Sequence, residues 1–109
     1  MLIPILLLNF AATAPSIPYI PLLEGSTSKA ASEFVACFAA DQEAQSKPLS
    51  FLPYPSGGGR ISNEGAAGVT NPYQVRVVEA GGQTSIRALI GHQDGIEDCL
   101  LVLSIKHCW

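Results

Sequence analysis

The sequence predicts a small α+β domain: a two-layer sandwich in which an antiparallel sheet, centred on a hairpin, carries helices on one face. Three observations predict it. Residues 73–90 alternate apolar and polar positions on either side of a Gly-Gly pair, which is the pattern of a β-hairpin. Residues 29–46 and 95–105 repeat apolar side chains at helical spacing. Helix, short strands, hairpin and helix follow one another without the βαβ alternation of a parallel sheet.

The first helix begins after the polar stretch Glu24–Ser28, where Ser26, Thr27 and Ser28 are all able to cap it. Ala30, Phe34, Cys37, Phe38 and Ala44 or Gln45 form its apolar stripe, and Lys47-Pro48 ends it. Leu49–Leu52 reads as an edge strand closed by Pro53 and Pro55. Ser56–Gly59 is a turn, Arg60–Ser62 a second short strand, and Asn63–Pro72 a loop. In the hairpin, Tyr73, Val75 and Val77 face one way, as do Thr84, Ile86, Ala88 and Ile90. Asp94 and Glu97 resemble a capping box that starts the last helix, with Ile96, Cys99, Leu100 and Leu103 as its stripe. The apolar run Leu100–Ile105 also fits a buried strand.

The chain divides into residues 1–25, an N-terminal targeting or anchor segment with a Pro-rich tail, and residues 26–109, a single globular domain. Leu2–Ala12 is an apolar run too short to span a bilayer, followed by the A-x-A element Ala12-Thr13-Ala14. Pro15, Pro18 and Pro21 favour extended chain after it. No Lys or Arg precedes the run and Pro15 follows the cleavage point, so an uncleaved anchor is the alternative to a cut leader. The expected location is periplasmic or extracellular, with membrane attachment only through this segment.

Export makes the three cysteines informative. Cys37 and Cys99 lie on the apolar stripes of the two helices, which predicts a Cys37–Cys99 disulfide and leaves Cys108 over. A C-terminal hairpin would pair Cys99 with Cys108 instead.

A net charge of −3 with no basic run or stripe excludes a nucleic-acid footprint. No catalytic motif is present, so no catalytic residue, cofactor or metal is assigned. His92, Asp94, Glu97, Asp98, Cys99, His107 and Cys108 crowd the C-terminal end, but without the spacing of a zinc site. The candidate ligand-binding residues are arginines. A two-residue Gly81-Gly82 turn pairs Ala80 with Gln83 and so sets Arg76 opposite Arg87, on the face away from the core. Arg60, after Ser56-Gly57-Gly58-Gly59, is a further anion contact. The expectation is a small exported binding or accessory domain that recognises a protein or envelope component. The alternative is a small hydrolase-like enzyme with His92 or His107 as general base.

Overall fold

The structure is a computed structural model, and it describes residues 18–109. The elements are β1 (Ile20–Thr27), α1 (Ala31–Ala44), β2 (Ser50–Pro53), β3 (Gly58–Ser62), β4 (Tyr73–Ala80), β5 (Gln83–Ile90) and α2 (Gly95–His107). The five strands form one antiparallel sheet in the order β1-β5-β4-β3-β2, and with the two helices they make an α+β domain.

The hairpin has the register that its alternation dictates. Gly81 and Gly82 both adopt positive φ, 60° and 76°, as a two-residue type I′ turn requires. Ala80 pairs with Gln83, Val77 with Ile86, Arg76 with Arg87 and Val75 with Ala88. The inward set is therefore Val75, Val77, Ile86 and Ala88, all of them buried, joined by Ile61 from β3. Phe34 and Phe38 of α1 and Leu101, Ile105 and Cys108 from the C-terminal end close over them in one cluster. Each fully buried large side chain of this kind stabilises the fold by roughly 1.5–3 kcal/mol.

Three expectations are corrected. The first concerns the domain boundary. Ile20–Gly25 belong to the sheet: β1 lies along β5, with Leu23 opposite Ala88, Glu24 opposite Arg87 and Thr27 opposite Thr84. The prolines mislead because an edge strand tolerates them, and the register shifts between Pro21 and Leu23. Leu22 and Leu23 pack against the core, and the Trp109 ring lies against Gly25 where a Cβ would stand 2.2 Å from it. The expected targeting segment otherwise falls on residues 1–17, outside the described residues.

The second correction is the disulfide. Cys37 is joined to Cys108, with Cα atoms 5.7 Å apart, and Cys99 is exposed and free. The cause lies in α2, whose inward residues are Leu101, Ser104 and Ile105, while Ile96, Leu100 and Leu103 face outward. Apolar residues surround most of this helix, so spacing alone leaves its inner face undecided. The polar Ser104 marks that face by meeting α1: Gln42 Nε2 donates to its Oγ at 3.0 Å, and its hydroxyl donates to Asp41. Cys108 stands three residues beyond Ile105 and four beyond Ser104, on the same stripe.

The third correction is the start of α1. Its N-cap, Ala30, offers no side-chain cap, and the Ala31 N–H instead donates to Glu79 Oε1 at 3.0 Å. A carboxylate from the end of β4 thus does the work expected of Ser26, Thr27 or Ser28. For α2 the cap stands: Asp94 Oδ1 accepts from the Glu97 N–H at 3.2 Å. The return arm comes from Asp98, whose Oδ2 accepts from the Asp94 N–H at 2.9 Å.

The disulfide spans 71 residues, and loop-closure entropy for that span corresponds to about 4 kcal/mol. Urea unfolding should lose about that much on reduction or in Cys37→Ser, and nearly nothing in Cys99→Ser; peptide mapping that links Cys99 would contradict the fold. Leu23→Asp or Gly25→Val should each cost roughly 1–3 kcal/mol. No effect from either would place residues 20–25 outside the domain.

Candidate functional site: a row of arginines and a polar cavity

The register of four strand pairs carries one line across the sheet face opposite α1 and α2. Leu52 stands opposite Arg60, Arg60 opposite Arg76, Arg76 opposite Arg87, and Arg87 opposite Glu24. All three arginines of the chain are in this line. In the sequence Arg60, Arg76 and Arg87 stand out for two separate reasons, a Gly-rich turn and a hairpin; pairing of β3 with β4 unites them. At a strand spacing of about 4.8 Å the three span about 10 Å.

Each arginine has a different setting. Arg87 is ion-paired to Glu24, Nε to Oε1 at 2.8 Å, and both side chains are about half exposed. Exposed pairs of this kind contribute about 0–1 kcal/mol, so the pair orients Arg87 more than it stabilises the sheet. Arg76 donates from Nε and Nη2 to Gln74 Oε1 at 3.2 and 3.1 Å. Gln74 is buried and donates in turn to the Glu64 carboxylate, which also accepts from the Tyr19 hydroxyl. This chain ties the loop after β3 to the sheet and holds Arg76 by its neighbour two positions along. Arg60 is half-buried, and its side chain makes no hydrogen bond among the described residues. A shallow groove of about 350 Å³, lined in part by Glu24, Arg76, Val78, Ser85 and Arg87, runs beside the row.

A second feature leaves no mark in the sequence. Loop 63–72 folds beside the C-terminal end of α1 and the start of α2, bordering a pocket of about 230 Å³ that is open to solvent. Asn63 holds the loop closed. Its Oδ1 accepts from the Tyr73 N–H at 2.7 Å, and its Nδ2 donates to the Asn71 carbonyl at 3.3 Å. Tyr73 enters the cavity wall because its ring packs edge-on against Phe38. Only 7% of it is exposed, and its hydroxyl has no hydrogen-bond partner among the described residues. The Asn71 side-chain oxygen is likewise buried without a partner among them. Burial pushes the Tyr73 hydroxyl up from 10.0 to about 12, so at neutral pH it is a proton donor. Tyr73 reads from the sequence only as an inward strand residue; nothing in the alternation reveals that its hydroxyl lacks a mate.

The remaining candidates do not assemble. His92 and His107 are both exposed, at opposite ends of α2, and neither hydrogen-bonds a carboxylate among the described residues. No group of three or more His, Cys, Asp or Glu suited to a metal ion occurs among the described residues. Nor, among them, is any helix long and apolar enough to cross a membrane.

Compared with known proteins, the chain matches no family model, no curated protein and no solved structure.

The position of Tyr73 makes an alkaline signature. The folded chain holds the Tyr73 proton more tightly than the unfolded chain does, so stability should fall as pH rises from 10.0 towards about 12. Absorbance titration should find one of the three tyrosines ionising near 12, and Tyr73→Phe should remove both that step and Tyr73's share of the stability loss. Three tyrosines titrating together near 10 would contradict the burial of this hydroxyl.

Proposed function

We propose that this chain is a small exported binding domain whose sheet face opposite α1 and α2 recognises an acidic group, a carboxylate or phosphate, on a protein or envelope component. The observation that carries the reading is the alignment Arg60–Arg76–Arg87 across three neighbouring strands. The chain as a whole carries −3, yet this one line concentrates three positive charges against the single carboxylate of Glu24. Like charges in directly opposed positions cost a sheet roughly 0.2–1 kcal/mol per pair, so stability gives no reason for the arrangement. Guanidinium groups present rigid forks of donors that match a carboxylate or phosphate in a bidentate manner. The groove beside the row gives such a group a place to approach. Loop 63–72 and the β2–β3 turn lie beyond opposite ends of β3, where they can extend the contact along a larger partner.

Export is supported by the Cys37–Cys108 disulfide, which suits an oxidising compartment, and by the apolar N-terminal sequence. No specific observation favours the alternative, a hydrolase-like enzyme based on His92 or His107.

Arginine-to-glutamine variants of the 109-residue chain test the reading, with inorganic phosphate and an oligoglutamate peptide as probes. Arg76→Gln removes the central charge and should weaken binding of both probes by at least about fivefold, an effect on the order of 1 kcal/mol. Its stability to urea should be equal or higher by roughly 0.2–1 kcal/mol, since two like-charge pairs disappear. Added salt should weaken wild-type binding. Unchanged binding together with lowered stability would assign the row a structural role and remove this function.

A further inference from the structure

We propose that the outward face of α2 is an interface between two copies of this chain, which pair antiparallel about a two-fold axis. The inference is independent of the arginine row. Ile96, Cys99, Leu100 and Leu103 fall at positions i, i+3, i+4 and i+7 of the helix and so share one face. All four are exposed, Ile96 by 75% and Leu103 by 60%. The domain's own packing uses the other side of α2, through Leu101, Ser104 and Ile105. An apolar stripe on the free side of a helix already packed on its opposite side is the pattern of a helix–helix contact, not of the core.

Charge selects the occupant. The N-terminal end of α2 carries Asp94, Glu97 and Asp98, with Lys47 standing 3.9 Å from Glu97. The C-terminal end carries Lys106 and His107, joined by Lys29, whose Nζ donates to the Cys108 carbonyl at 3.3 Å. Such a helix is complementary to its own reverse. Antiparallel pairing sets the acidic end of each copy against the basic end of the other and opposes the two helix dipoles, whereas parallel pairing sets like against like. Pairing centred between Cys99 and Leu100 places Ile96 against Leu103 of the second copy, and Lys106 within reach of the second copy's Asp94 and Glu97. The two Cys99 residues then meet beside the axis, with Cα atoms about 4–6 Å apart at ordinary helix spacing. A lipid surface suits the stripe less, because helices that lie on membranes carry a predominantly basic polar face. Residues 1–17 contain no charged side chain to match either end of α2. Since α2 lies on the sheet face opposite the arginines, the pair leaves both arginine rows uncovered.

The test is sedimentation velocity on the 109-residue chain over rising concentration. A reversible dimer with Kd on the order of 10–100 μM is expected, since one helix face makes a small interface. A short bismaleimide should link Cys99 to Cys99 in that dimer, and dilution below Kd should abolish the link. Leu103→Asp should weaken the dimer at least about tenfold yet leave the melting temperature of the dilute chain unchanged, because the residue is exposed. Glu97→Lys and Lys106→Glu should each weaken it at least about threefold, and combining them should restore it. A chain that stays monomeric at about 1 mM overturns the proposal. So does a dimer that survives Leu103→Asp, whose contact then lies elsewhere, residues 1–17 included. A double charge variant that dimerises no better than either single one refutes the antiparallel pairing. If Leu103→Asp instead abolishes binding to phosphatidylglycerol vesicles and leaves self-association as it was, the stripe faces a membrane and the proposal falls.

Discussion

A side-chain period of two, locked in phase by a two-residue turn, is the constraint on which this domain depends. Gly81 and Gly82 fix the β4–β5 register, and the register decides the fate of every residue from Tyr73 to Ile90. A slip of one position would drive Arg76 and Arg87 into the core and expose Val75, Val77, Ile86 and Ala88. Such a slip buries unpaired guanidinium groups and forfeits the main apolar face of the sheet, so alternatives are strongly disfavoured. The outer strands inherit this phase. β3 pairs with β4 and β1 with β5, which extends the division into an inner apolar and an outer polar face across the sheet.

The inner face then dictates the rest of the packing. Phe34 and Phe38, one helical turn apart, stack at 6.1 Å over the strands and are met by Leu101 and Ile105 of α2. The helices touch each other through Asp41, Gln42 and Ser104, a polar contact that fixes how α2 is rotated. That rotation places Cys108 beside Cys37, where the disulfide joins the two ends of the helical layer. Trp109 completes the arrangement by lying on Gly25 and donating its indole N–H to the Ser26 carbonyl at 3.0 Å, fastening the C-terminus to β1.

Legibility in the sequence tracks how local each signal is. The hairpin is local and alternating, and its register follows residue by residue from Val75 to Ala88. The helices are legible as helices, because caps and spacing are local as well. The inner face of α2 is not, since Ile96, Leu100 and Leu103 are as apolar as the residues that become buried, and only contact with Gln42 tells them apart. β1 is hidden by Pro21 and by the polar run Glu24–Thr27, because a strand's partner five elements away leaves no mark on its own composition. For the same reason Arg60, Arg76 and Arg87 are individually visible as candidates while their alignment is not. The pocket under loop 63–72 is the least legible feature, because its lining comes from that loop and from both helices.

The same register that buries Val75 and Ala88 thus assembles three arginines on the opposite face, and the proposed binding role rests on that assembly. Its most direct measurement is the side-chain Nε–Hε spectrum of the arginines during titration with oligoglutamate. The account predicts that the signals of Arg60, Arg76 and Arg87 move together and saturate at one ligand concentration, while the backbone amides of α1 and α2 stay in place. Arginine signals that remain fixed, or that move independently with separate saturation points, would contradict it.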